Sequence, residues 1–215
     1  MESVRNMLPI SNALGFKPGQ SEAEGWASLN ELSADSAVGR ERRATLEQAI
    51  QLQHYQFNCH GVELGQRYRS SVVLADGTEE PAYARDRELY YHATTWPGAH
   101  LPHAWLHDAE GRKVSTLDIC GQGRLTLLTG HGGEAWRHAA ESAARELGIE
   151  LAVRCIGLGL EFVDSYGDWA RLREINEDGC VLVRPDQHVA WRAQSASPAA
   201  DTRLLDALKA VLARH

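Results

Sequence analysis

The sequence predicts an α/β fold: a mixed-sheet domain over residues 86–215, behind a mostly helical segment over residues 1–85. Three observations carry this. Short apolar runs alternate with helical periodicity in the second half. A tight Pro-Asp-Gln turn joins two of those runs near the end. The first 74 residues or so show apolar spacing closer to the 3.6-residue period of a helix than to the two-residue period of a strand.

In the first half, the clearest helix is "GRERRATLEQAIQLQHYQFNCHG". Leu46, Ala49, Ile50 and Phe57 fall near one face, charges lie opposite, and Gly61 follows as a stop. "RYRSSVVLADGT" then predicts a short extended segment ending in an Asp76-Gly77 turn. "EEPAYARDREL" is polar, contains Pro81 and has no clean period, which places the boundary there.

Beyond it, "PHAWLHDAEGRKVSTLDI" reads as two extended runs joined at Glu110-Gly111, an N-terminal hairpin. "GRLTLLTG" is a buried strand between Gly123 and Gly130. "GGEAWRHAAESAARELG" is the strongest helix: Trp136, Ala139, Ala140, Ala143, Ala144 and Leu147 share one face, and Gly148 stands where a left-handed C-cap is needed. "IELAVRCIGL" is a strand, and "YGDWARLREI" a short helix with Asp168 near its start. Residues 180–184 and 188–192 form a hairpin whose turn Pro185 and Asp186 suit. A last helix, "SPAADTRLLDALKAVLARH", carries the stripe Leu204, Leu205, Leu208, Val211 and Leu212. A helix between strands implies parallel neighbours, and the tight turn an antiparallel pair. The resulting mixed four-stranded order is that of a thioredoxin-like domain.

Composition narrows the function classes. The chain has 215 residues and is 43% hydrophobic, enough to bury a core. Its 22 basic against 29 acidic residues leave a net charge of -7, and no basic run appears, which argues against a nucleic-acid partner. The apolar runs are too short and too interrupted to span a bilayer, and the N-terminus lacks signal-peptide character, so the expectation is a cytoplasmic protein without membrane contact.

Four cysteines, Cys59, Cys120, Cys155 and Cys180, lie far apart and make no C-x-x-C pair. A thioredoxin-like enzyme places its reactive thiol where the first strand meets the first helix. Here that junction reads "TGHGGEAW", with His131 but no Cys, and the loop "NEDGCVL" lacks the proline that such folds carry there. Dithiol chemistry is therefore not expected.

Other constellations read as structure. His100, His103 and His107 are spaced for one helical face, but Pro97 and Pro102 disfavour a helix, so a metal site is not expected. Asp186 and His188 are accounted for by the turn, and Cys180 across the hairpin has no electropositive setting. Among the glycine pairs, Gly121/Gly123 precede a strand and Gly157/Gly159 precede an apolar stretch. Only "TGHGGEAW" lies between strand and helix, where an anion could bind, and a tight turn at the helix start is the favoured reading. Catalytic, cofactor and metal residues are thus all expected to be none.

The stretches "YYHATTWPGAHLPHAWLHDAEGRKVSTLDICGQGRLTLLTG" and "YGDWARLREINEDGCVLVRPDQHVAWRA" resemble the C-terminal region of FAD-dependent aromatic-ring hydroxylases, of the 2,4-dichlorophenol 6-monooxygenase, phenol hydroxylase and polyketide hydroxylase type. "HGVELGQRYRSSVVLADGTEEP" resembles the stretch just before that region. The resemblance spans nearly the whole chain and is densest over residues 90–193. It implies a redox-inactive thioredoxin-like domain, with FAD and NAD(P)H as cofactors of the complete enzyme and a small aromatic as substrate. The family's Gly-x-Gly-x-x-Gly turn and its later Gly-Asp motif have no counterpart here, and Met1 falls just after the latter.

The expected role is therefore a C-terminal portion or split subunit, inactive alone, that associates with a separate flavin-binding polypeptide or with itself. Leu8, Ile10, Leu14, Leu46 and Ile50 are the residues expected to be exposed for that contact. A free-standing binding module for a small aromatic or a partner protein is the alternative. An enzyme using the histidine cluster with a metal is a third reading.

Overall fold

The computed structural model describes residues 2–214. His215, the expected end of the last helix, lies outside them, as does Met1. The chain divides into two compact units: Met1–Glu63 with Asp86–Tyr91, and Leu64–Arg85 with His92–His215. Residues 64–85, grouped with the helical half in the sequence reading, thus belong with the sheet, and 86–91 return to the helices.

The first unit contains α1 (Glu2–Leu14), α2 (Glu22–Ser33), α3 (Ala37–Phe57) and α4 (His60–Leu64). Ser21 and Glu24 form a reciprocal capping box that starts α2. The buried stripe of α3 is Gly39, Ala49 and Gln53, with Arg42 and Leu46 half-buried between them. This differs from the expected face: Ile50 is exposed and Phe57 is 63% exposed. Arg42 explains the shift. Its guanidinium donates to the Ala13 carbonyl at 3.0 and 3.2 Å and to the Ser28 carbonyl at 2.8 Å, joining the orphan carbonyl end of α1 and the middle of α2 to α3. A polar residue therefore holds a position that periodicity assigns to an apolar one.

Gly61 does not stop α3. The helix ends at Phe57 with Asn58 as its C-cap. Gly61 is buried in α4, where a Cβ would lie 1.9 Å from the Arg87 carbonyl oxygen.

The second unit is mixed α/β, as expected. Residues 65–85 hold no regular strand. The expected extended run is instead a series of turns with one bridge, Arg67 to Ala99, and the foreseen Asp76-Gly77 turn, where Thr78 N–H donates to Asp76 Oδ1 at 2.9 Å. Next come the antiparallel strands β1 (Trp105–His107) and β2 (Lys113–Ser115). The expected second extended run stops at Ser115, because Ser115 and Asp118 make a capping box and start the one-turn helix α5 (Thr116–Ile119).

The main sheet is built from β3 (Leu125–Thr129), β4 (Leu151–Cys155), β5 (Cys180–Val183) and β6 (Val189–Ala193), in the spatial order β4-β3-β5-β6. β3 pairs parallel with β4 and antiparallel with β5, and β5 pairs antiparallel with β6. The crossover from β3 to β4 is α6 (Glu134–Leu147), whose end is Gly148 at φ +61°. The short α7 (Asp168–Leu172) precedes β5, and α8 (Ala200–Val211) follows β6.

Both faces of the sheet are covered. On one, Leu125, Leu127, Cys180 and Leu182 pack with Trp136 and the alanines of α6 and with Leu204 and Leu208 of α8. On the other, Leu128, Val181 and Val183 pack with Leu101, Leu106, Ile119 and Trp169. Trp136 and Trp191 meet edge to face at 5.7 Å.

Near the outer end of β6, Arg192 is almost wholly buried. It donates to Asp76 Oδ2 at 2.5 Å, Glu174 Oε2 at 2.8 Å, Thr95 Oγ1 at 2.9 Å and Thr78 Oγ1 at 3.1 Å. Burial raises the Asp76 carboxyl, but the Arg192 guanidinium and Thr78 outweigh it and hold the group below the usual carboxylate range.

A carboxyl depressed in the folded state stabilises above its unfolded value, near 4, and loses that contribution as pH falls through its folded value. Urea midpoints measured between neutral pH and pH 3 should therefore fall on acidification, and Asp76→Asn should flatten that slope. Leu127→Ala should cost about 2–5 kcal/mol by the same measurement. Leu158→Ala, at a residue 83% exposed, should cost under about 0.5 kcal/mol.

Candidate functional site

The glycine-rich turn of residues 129–136 leads from β3 into α6. Thr129 Oγ1 donates to the Gly179 carbonyl at 2.8 Å, which ties the turn to the loop before β5. The glycines are required by close approach. A Cβ at Gly133 would lie 2.0 Å from Thr129 Oγ1, one at Gly130 would lie 2.7 Å from the Glu177 carbonyl oxygen, and one at Gly132 would lie 3.0 Å from Asp178 Cβ. At Gly130 and Gly132 the turn thus packs against the protein's own residues 177 and 178. Acidic residues accompany it: Glu134 opens α6, and Glu177 and Asp178 are the residues packed against the glycines.

Beside it opens a cleft of about 470 Å³, lined among others by His131, Gly157, Trp169, Arg173 and Glu177. Its polar groups are largely engaged. Asp164 accepts from the N–H groups of Asp168 and Ala170 at 3.0 and 2.8 Å, Arg173 donates to the Ile175 carbonyl at 3.0 Å, and Ser165 pairs with His107 at 2.9 Å.

The histidines of "GAHLPHAWLH" do not converge. His100 stacks edge-on against His188 at 5.2 Å, His103 bonds Ser115 Oγ at 2.6 Å and packs on Trp105, and His107 faces Ser165 and Tyr166. Pro102 directs this: the chain is irregular from 98 to 104, and successive imidazoles leave it in different directions. Among the described residues, no group of three His, Cys, Asp or Glu could hold a metal ion.

Asp186 and His188 belong to the β5–β6 turn. Asp186 is paired with Arg184 at 2.7 Å, and His188 N–H donates to Asp186 Oδ1 at 3.3 Å. Cys180 faces the core, and burial pushes its thiol well above its ordinary range. Burial likewise pushes Cys120 up to about 12. Cys59 and Cys155 are half-buried and also raised, burial being the main cause in each. A raised pKa leaves little thiolate at neutral pH, the opposite of what a nucleophile needs.

In the helical unit, a second cleft of about 440 Å³ is lined by Gln51, His54, Asn58, His60, Leu89 and Tyr90. Sequence reasoning did not single out these residues. The grouping depends on 86–91 returning to α3 and α4, for which no periodic signal exists.

The second unit is thus a mixed sheet with helices whose first strand-to-helix turn has packed glycines. Residues 94–214 match the model for the C-terminal domain of the aromatic-ring hydroxylases, and the chain belongs to that family. It is 44% identical over its whole length to the 2,4-dichlorophenol 6-monooxygenase of Delftia acidovorans, covering 36% of that protein. It is 45% identical over 93% of its length to the phenol 2-monooxygenase of Pseudomonas sp. strain EST1001, covering 33% of it. Among solved structures, the flavin-dependent monooxygenase PieE, in complex with FAD and substrate, is similar over the whole chain and 36% of its own, with TM-score 0.80 and 52% identity. The chain thus spans about a third of the length of these relatives.

The residues present do not fit an FAD pyrophosphate. The glycines of the α6 turn are packed on Thr129 and on the acidic residues Glu177 and Asp178. At Gly121, a Cβ would meet Gln187 Cγ at 2.6 Å, so this turn too is packed on protein.

Two outcomes follow. In the folded protein at pH 8, Cys120 and Cys180 should resist a thiol reagent that titrates all four cysteines after denaturation. Titration calorimetry with zinc at neutral pH should show no stoichiometric binding, and His103→Ala should leave that result unchanged.

Proposed function

We propose that this chain serves as the C-terminal portion of a phenol-type, FAD-dependent aromatic-ring monooxygenase. Its role is structural and associative, and it has no flavin chemistry of its own. FAD, NAD(P)H and a small aromatic substrate are then handled by residues of the enzyme other than these. In such an enzyme the flavin carries the oxygen chemistry, while the protein positions and shelters it. The element order and the β4-β3-β5-β6 sheet support reading the second unit as thioredoxin-like, with its reactive-thiol turn converted to packing. A cytoplasmic location is part of the same proposal. It is compatible with the lack, among the described residues, of any helix long and apolar enough to cross a membrane.

One observation carries the associative role. The helical unit leaves large apolar side chains in water: Leu8, Trp26, Ile50, Leu52 and Phe57 are all exposed, Trp26 at 60%. α2 has no buried residue at all. Of the side chains expected to be exposed, Leu8 and Ile50 are, whereas Ile10, Leu14 and Leu46 are half-buried. Apolar surface of this kind marks an interaction site. The occupant proposed is a flavin-binding polypeptide of the same enzyme type, with self-association as the other form of contact. The cleft at His54, His60 and Tyr90 favours a second reading, a non-enzymatic module that binds a small aromatic.

The purified chain should be colourless and should not consume NAD(P)H with phenol. Co-expressed with the flavin-binding part of a phenol-type relative, it should co-purify with it, and Trp26→Glu with Phe57→Glu should abolish that pairing. A flavin spectrum with phenol-dependent NAD(P)H oxidation by the chain alone would overturn the proposal. Calorimetric binding of phenol by the chain alone would favour the module.

A further inference from the structure

We infer that residues 64–85 form a strap that opens from the folded sheet unit as one element, with the Asp76–Arg192 pair as its latch. The segment has no helix or strand of its own beyond Leu64, and none of its residues is buried as a whole. Leu74 is its single contribution to the two apolar cores among the described residues. Hydrophobic burial therefore does little to hold it, and segments of that kind open at lower free energy than the core.

The segment is instead closed on itself. Glu80 bridges Arg67 at 3.0 Å and Arg69 at 2.5 Å, Arg67 donates to the Pro81 carbonyl at 2.8 Å, and the Arg67 guanidinium lies 4.3 Å from the Tyr83 ring centre. These contacts stay within the segment, so they survive its detachment and make it move as a unit.

Polar anchors hold the strap to the sheet unit. Tyr68 N–H donates to the Gly98 carbonyl at 2.9 Å, and Leu74 N–H to the Ala190 carbonyl at 2.8 Å. The third anchor carries charge. Asp76 and Thr78 take the Nε and Nη2 side of Arg192, and Gln194 donates to Asp76 at 3.4 Å. The other side of the same guanidinium is held by Thr95 and Glu174, which are not part of the strap. On opening, Arg192 thus keeps one carboxylate and one hydroxyl while its freed N–H groups pass to water. The uncompensated buried charge that usually makes breaking such a pair so costly does not arise. Opening uncovers the β6 edge at Ala190, whose carbonyl is then available for another strand.

Hydrogen exchange on the intact chain, read by mass spectrometry, tests this with Asp76→Asn, which keeps the shape and removes the charge facing Arg192. Amides of Tyr68, Leu74 and Thr78 should exchange at least about tenfold faster, the scale of one lost charge-assisted hydrogen bond, while those of β3 and β5 stay within about twofold of wild type. Equal acceleration throughout, or none in the strap, would overturn the latch. Should Asp76→Asn not fold, Thr78→Val, which removes one hydrogen bond to Arg192, should give a smaller acceleration confined to the same amides. Acceleration spread over the whole unit would overturn the proposal in that case too.

Discussion

A cation buried beside the last strand organises much of the sheet unit. Arg192 cannot stay charged out of water unless every side of its guanidinium meets an acceptor. Three separate pieces of chain supply them: Asp76 and Thr78 from the irregular segment, Thr95 from the stretch before β1, and Glu174 from the loop after α7. Thr94 Oγ1 and Thr95 N–H both donate to Glu174, at 2.6 and 3.2 Å, so the acceptors are themselves held. These segments have few apolar residues to bury, and the need to satisfy one guanidinium gives them a common meeting point.

Arg42 does similar work in the helical unit, where it joins the end of α1 and the middle of α2 to α3. In both units a planar, permanently charged fork reaches several acceptors at once, which lysine's single ammonium would not. The fold thus relies on arginine where its apolar patterning is weakest. The sheet, by contrast, is held by apolar packing on both faces, and its strands read as continuous hydrophobic runs for that reason.

The β3–α6 turn is shaped by close packing as well as by residue type. The turn's missing cysteine shows in the sequence. That Gly130 and Gly132 are spent on contact with Glu177 and Asp178 does not, because those partners lie far away along the chain. The same holds for the imidazoles of residues 100, 103 and 107, whose partners come from β2, residue 165 and the β6 hairpin turn.

What the sequence by itself determined was local and periodic. It set the α6 helix with Gly148 at its end, the buried runs of β3 and β5, the Pro185-Asp186 turn and the absence of a thiol pair, because each depends on neighbours within a few turns of chain. It was also enough to show family resemblance. What only the tertiary structure decided was wherever a distant polar group replaced local apolar logic. α3 turns on Arg42 rather than presenting Phe57, and residues 64–85 join the sheet through Asp76. Periodicity reports which side chains avoid water, but it carries no record of which distant acceptor a buried charge will find.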